Sequence, residues 1–96
     1  MTIQELLREK RGEILRIAAR HGVQEIRVFG SAGRGESGPD SDVDFLIQVQ
    51  GPTTPWFPGG LKVELERLLD RRVDVVESEA LRAEIREEVL REARPL

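Results

Sequence analysis

Three aspartates in this chain have the residue type and spacing of a site that holds divalent metal and phosphate. Asp42 and Asp44 stand two residues apart, and Asp74 lies inside a later strand-like run. Hard oxygen ligands of this kind select Mg²⁺ or Mn²⁺ over zinc. Two such ions, about 3.5–4 Å apart, can activate an attacking oxygen and neutralise leaving phosphates. We therefore predict that Asp42 and Asp44 bind metal and that Asp74 completes the set.

A Gly-Ser turn precedes these acids and could bind the phosphates of a nucleotide. Gly30 and Ser31 follow a short strand-like run that ends at Phe29. The turn offers backbone amides and a hydroxyl as donors, and glycine lets a phosphate approach the backbone closely. Arg34 could clamp a phosphate with its guanidinium group. Gly30, Ser31 and Arg34 are the predicted nucleotide-binding residues.

Three better-known phosphate or metal motifs are excluded. The glycines at positions 30, 33 and 35 have the wrong spacing for a dinucleotide-binding turn, and no Gly-Lys-Ser/Thr follows to make a P-loop. Asp40, Asp42 and Asp44 repeat the first ligands of a calcium-binding EF-hand loop. That loop would need glycine where Phe45 stands and glutamate where Gly51 stands, so calcium is excluded as well.

Each part of this pattern is weak by itself, because Asp-x-Asp pairs are common and most Gly-Ser turns are only turns. Three acids grouped without a metal would repel one another, which makes a poor structural device. The combination of the Gly-Ser turn with the three acids, in this order and at strand ends, favours a functional site over a purely structural one.

The elements that must position these residues follow from the apolar pattern. One helix is predicted after a capping box at Thr2, ending near His21 and Gly22. Strands are predicted at 25–29, 43–49 and 72–76, and helices at 31–35, 61–69 and 79–91, the last capped by Ser78. In the second strand, alternation places Val43, Phe45, Ile47 and Val49 on one face and Asp42 and Asp44 on the other. We predict an α/β (α+β) fold, in which helices cover a small mixed sheet mainly on one face.

Two further features have competing interpretations. His21, the only histidine, is predicted to be a surface residue at a helix end. Trp56 and Phe57 lie in a Pro- and Gly-rich segment, 50–60, which is predicted to fold back and cap the core. The alternative is an aromatic edge for a base or a partner, on a loop that borders the acid-bearing face.

Size and composition predict a single domain, residues 1–96, in the cytoplasm. The net charge of −3 argues against bulk binding of nucleic acid, which depends on neutralising phosphates. The absence of cysteine excludes disulfides and thiolate metal sites. No apolar segment has the length of a signal peptide or a membrane span.

The motifs together closely resemble the minimal nucleotidyltransferase family of the DNA-polymerase-β-like superfamily. The resemblance rests on Gly30-Ser31-x-x-Arg34-Gly35, Ser41-Asp42-x-Asp44-Phe45-Leu46 and Val73-Asp74-Val75-Val76, and it extends over essentially the whole chain. It implies a nucleotidyltransferase fold, with Asp42 and Asp44 as metal ligands. It further implies Asp74 as third carboxylate and general base, and Gly30 and Ser31 as the triphosphate contact. Ala32-Gly33 departs slightly from the usual family residues and leaves the turn intact.

The resemblance also implies a function and a partner. Small proteins of this family are often antitoxins of HEPN-domain toxins, and some adenylylate the toxin, so transfer of AMP from ATP to a partner's hydroxyl is expected. The alternative is a binding module that neutralises its partner by occlusion without catalysis. Ninety-six residues leave little to enclose a base or an acceptor, so a second chain is expected to supply the missing walls.

Overall fold

The computed structural model describes residues 2–34, 42–53 and 55–96 of the chain. These residues form a four-stranded sheet in the order β3-β2-β1-β4. The strands are β1 (Val23–Phe29), β2 (Val43–Val49), β3 (Val73–Glu77) and β4 (Arg94–Pro95). β1 is antiparallel to β2 and β4, whereas β2 and β3 are parallel. The predicted mixed sheet is confirmed.

The helices are α1 (Ile3–Glu9), α2 (Arg11–Arg20), α3 (Gly30–Arg34), α4 (Gly59–Leu69) and α5 (Ala83–Glu92). The Thr2 hydroxyl accepts a hydrogen bond from the Glu5 amide at 3.1 Å, as the capping box predicts. The prediction of one continuous first helix is wrong, because the backbone leaves helical geometry at Lys10 (φ −95°, ψ 6°). The break lets α1 and α2 bury their own apolar residues independently.

The core lies between β2 and the helices, on the face that alternation predicts. Val43, Phe45 and Ile47 are almost completely inaccessible to solvent and join one apolar cluster with α1, α2 and α4. Leu46, on the opposite face, is also only 1% exposed. A 3₁₀ turn, Ser78–Ala80, contacts β2 and limits how much of the opposite face is open.

The C-terminal region differs from its prediction. Ser78 begins the 3₁₀ turn instead of capping a helix, and α5 starts only at Ala83. The Arg86 guanidinium donates to the carbonyl oxygens of Glu79 (3.0 Å) and Leu81 (3.2 Å), which stabilises the turn. β4 was not predicted, since a strand of two residues has no measurable periodicity.

The Pro- and Gly-rich segment lies at the other end of the sheet from the acids. It leaves β2 after Val49, which pairs with Val23, and its Pro52 carbonyl lies near Gly22. Val49 is about 16 Å along the strand from Asp44, given a rise of about 3.3 Å per residue. The prediction that this loop borders the acid-bearing face is therefore wrong.

The two aromatic residues of the segment have different environments. Phe57 packs against the core, as a core cap would. Trp56 is 83% exposed, so the core-cap prediction is wrong for this residue.

His21 is largely buried, so the prediction that it is a surface residue is wrong. Its side chain is 15% exposed, and Nε2 lies 3.5 Å from the Glu64 carboxylate on α4. The ring also packs against Gly60, where a Cβ atom would lie 3.2 Å from His21 Cε1. His21 therefore lies between α2 and the start of α4.

No helix in the described ranges combines the length and apolarity that crossing a membrane requires.

Candidate active site

Strand register brings the predicted acids together. Asp44 is the second residue of β2, and Asp42 lies just before that strand. Because β2 and β3 are parallel and paired in register, Asp44 lies directly opposite Asp74. Neighbouring residues in register project to the same face of a sheet, and the two carboxyl groups hydrogen-bond to each other. The structure thus places Asp44 and Asp74 in contact across two strands.

Burial and charge both act on Asp44. Partial burial raises the pKa of its carboxyl group, and the negative charges of Asp74 and then Asp42 raise it further. The hydrogen bond to Asp74 acts in the same direction. Burial disfavours the ionised form, and a nearby like charge does the same. Asp44 therefore holds its proton to a higher pH than an isolated aspartate.

Gly30 lies against the Asp44 carboxyl group. It follows Phe29, which pairs with Asp44 across the antiparallel β1–β2 ladder. Its φ of +66° is a left-handed conformation that favours glycine, and a Cβ atom there would lie 3.4 Å from Asp44 Cγ and collide with Oδ2. Position 30 therefore requires glycine for two reasons: the backbone is left-handed, and a side chain would have no space beside the Asp44 carboxylate.

The rest of the predicted phosphate turn forms α3. Ser31 follows Gly30 and is half-buried, while Ala32 is buried in the core and holds α3 against the sheet. The Gln4 side-chain amide donates to the Ala32 carbonyl at 3.4 Å. Of Arg34 the structure describes only the backbone, within α3, so its predicted phosphate contact lies outside the described part. Residues 37–40, whose Ser, Gly, Pro and Asp composition predicts a turn, lie outside it too, together with Gly35 and Ser41.

The donor set fits a hard divalent ion. All three acids offer oxygen ligands, Asp44 and Asp74 are in contact, and the absent Cβ of Gly30 leaves space beside Asp44 Oδ2. Within the described ranges, no three acidic or histidine side chains are already spaced around a common centre.

Sequence reasoning missed one residue beside the site. Glu66, on α4, accepts a hydrogen bond from the Val73 amide at 3.1 Å, next to Asp74. The contact joins residues seven apart across the turn between α4 and β3, and no local pattern identifies it.

Comparisons with known proteins identify close relatives. The sequence profile of the nucleotidyltransferase domain family matches residues 8–96. The protein adenylyltransferase MntA of Thermococcus cleftensis is 45% identical over 73 residues, which cover 76% of this chain and 74% of that protein.

Solved structures share the fold. One of them, a minimal nucleotidyltransferase, matches with a TM-score of 0.85 and 47% sequence identity. The match covers 96% of this chain and 94% of the matched chain. A chain in the complex of a tri-AMPylated Shewanella oneidensis HEPN toxin with its MNT antitoxin matches with a TM-score of 0.69. That chain is 18% identical, and the match covers 92% of this chain and 69% of that one. At 18% identity the likeness shows a common fold.

Proposed function

Because the chain belongs to the nucleotidyltransferase domain family, we propose that it is a protein adenylyltransferase that moves AMP from ATP to a hydroxyl of a partner protein. The observation that carries the proposal is the contact of Gly30, Asp44 and Asp74 at one end of the sheet. The relative from Thermococcus cleftensis is named as a protein adenylyltransferase.

The reaction makes one bond and breaks one. The acceptor hydroxyl oxygen bonds to the α-phosphorus of ATP, and the bond from that phosphorus to the α,β-bridging oxygen breaks, which releases pyrophosphate. The hydroxyl proton goes to a carboxylate, for which we propose Asp74, because it is the more exposed member of the Asp44–Asp74 pair.

The ATP phosphates are held beside the acids. Gly30 and Ser31 donate backbone and hydroxyl hydrogen bonds to them, and the missing Cβ of Gly30 lets them approach Asp44. Arg34 is the proposed clamp for a phosphate oxygen. Asp42, Asp44 and Asp74 would hold Mg²⁺ or Mn²⁺, as one ion or a pair, which neutralises phosphate charge when bound.

The proposed partner is a small helical protein of the HEPN type. Asp42 and Asp74 are exposed, and the Pro- and Gly-rich segment lies at the far end of the sheet, where it cannot roof the site. A second chain would supply the missing wall. The Shewanella oneidensis neighbour, which shares the fold, was solved as a complex of antitoxin and tri-AMPylated HEPN toxin.

A labelling experiment tests the proposal. The protein is incubated with Mg²⁺, ATP labelled at the α-phosphate and a HEPN-type protein from the same genome. Label is expected on the acceptor with the wild-type chain and is expected to be absent with Asp42→Asn or Asp44→Asn. Transfer by both variants at the wild-type rate would show that the site assignment is wrong.

A further inference from the structure

We propose that Glu66 is a positioning residue that holds Asp74 in place opposite Asp44. The proposal rests on the proposed function, since it gives Glu66 a role in the same reaction. Glu66 is on α4, in the helical layer, and its carboxylate accepts from the Val73 amide one residue before Asp74.

Glu66 holds both ends of the turn that leads into β3. Its backbone carbonyl accepts from the Asp70 amide at 2.8 Å, and its side chain accepts from the Val73 amide at 3.1 Å. Asp70 between them has a left-handed conformation with φ of 53°, which reverses the chain. The Glu66 side chain therefore ties the last turn of α4 to the first residue of β3.

The outer edge of β3 needs this support. β3 is an edge strand, paired only with β2 in the described sheet. The Arg72 carbonyl accepts from the Val43 amide at 3.0 Å, which directs the backbone of Arg72 towards β2. Alternate residues of a strand direct their backbone groups to opposite sides, so the Val73 amide points away from β2 and towards Glu66.

Val73 is also buried, at 1% exposure. An amide in such a place needs a hydrogen-bond acceptor, and a carboxylate is a strong one. Without Glu66 the amide loses this acceptor, and we expect the start of β3 to shift outward so that water replaces it. Asp74 is the next residue and would move with it.

The other acids are held independently of Glu66. Asp44 lies on β2, which is flanked by β1 and β3, and Gly30 follows β1. Loss of the Glu66 contact should therefore misplace the proposed base and leave the proposed phosphate turn unchanged. Because the turn and two of the three acids stay in place, we expect the fall in kcat to be larger than the change in KM for ATP.

Four variants test this role in the AMP-transfer assay. Glu66→Leu should lower kcat about tenfold or more and change KM for ATP less than about threefold. Glu66→Gln keeps an oxygen acceptor and should stay within about threefold of wild type. Glu64→Leu is the matched control, because Glu64 is on the same helix and pairs with Arg20 at 3.0 Å. If Glu66→Leu does not fold, Glu66→Ala takes its place.

A double variant shows whether Glu66 acts through Asp74. Glu66→Leu added to Asp74→Asn should cause no further loss of kcat, because the group that it positions is already absent. A further loss as large as in the wild-type background would overturn the proposal. Equal losses of kcat in Glu66→Leu and Glu64→Leu would overturn it too.

Amide hydrogen exchange tests the contact without relying on activity. In Glu66→Leu the amides of Val73 and Asp74 should exchange at least about tenfold faster than in Glu64→Leu, while β1 amides stay unchanged. Equal exchange rates at β3 would overturn the proposal. If the wild-type chain transfers no AMP, the proposed function fails, and this measurement still decides whether Glu66 holds β3.

Discussion

Asp44 and Asp74 lie opposite each other on parallel strands, and their carboxyl groups hydrogen-bond to each other. Two like charges in register are unfavourable unless a proton or a cation lies between them. Burial of Asp44 adds to this cost. The pair is therefore organised to bind something positively charged.

Asp44→Asn should stabilise the metal-free protein near neutral pH. Burial, then the charges of Asp74 and Asp42, raise the pKa of Asp44 in the folded chain above the unfolded value of about 3.9. The folded state therefore binds more protons than the unfolded state between these two pKa values. The resulting stability is fully present below pH about 3.9 and is lost as pH rises through the folded pKa.

Thermal melts in EDTA between pH 3.5 and 8 check this prediction. The melting temperature of Asp44→Asn should exceed that of wild type at neutral pH, and the difference should shrink towards the acid end. Glu87→Gln, on exposed α5, is the matched control for removing one acidic charge. A lower melting temperature for Asp44→Asn at pH 7 would show that burial and like charge do not destabilise ionised Asp44.

Gly30→Ala should abolish AMP transfer. The new Cβ would meet the Asp44 carboxyl group, and the left-handed backbone adds about 1–2 kcal/mol of strain. Gly51→Ala is the control, because Gly51 also has a positive φ (+82°), yet among the described residues no atom beyond its chain neighbours lies within 4 Å of its Cβ position. Both variants should lose stability in denaturant titrations, Gly30→Ala at least as much as Gly51→Ala, and only Gly30→Ala should lose activity. Normal transfer by Gly30→Ala would argue against a tight Gly30–Asp44 contact.

Trp56→Ala and Phe57→Ala should differ in stability, although the residues are neighbours. Trp56 is 83% exposed, so its loss should change the free energy of unfolding by less than about 0.5 kcal/mol. Phe57 packs against the core, so its loss should cost about 1–3 kcal/mol. Urea titrations of both variants measure this. Equal destabilisation would mean that the Trp56 ring packs against the core as well.

An Asp42→Asn/Asp44→Asn double variant should bind a HEPN-type toxin and fail to neutralise it. Both changes remove acids of the proposed site and leave the exposed apolar side chains of Trp56, Val63 and Ile85 unaltered. Calorimetry measures binding, and growth during toxin expression measures neutralisation. Neutralisation by the double variant would support occlusion, the alternative role as a non-catalytic binding module.

Patterns within a few residues were enough to predict the core and the face of β2 on which the acids lie. The two-residue period of β2 distinguished the buried face of Val43, Phe45 and Ile47 from the face of Asp42 and Asp44, and the structure confirms it. Side-chain direction in a strand depends only on the local backbone, so the sequence contains that information. The Thr2 cap was predictable for the same reason.

Contacts between distant residues were decided only by tertiary structure. The pairing of Asp44 with Asp74 depends on strand register, and the hydrogen bond from Val73 to Glu66 depends on how α4 meets β3. The prediction that the Pro- and Gly-rich segment borders the acid-bearing face is wrong because local turn chemistry does not indicate which neighbours a loop will meet. The direction of β2 decides this: the strand begins at the acids and ends beside Gly22, so the segment that follows it lies at the opposite end.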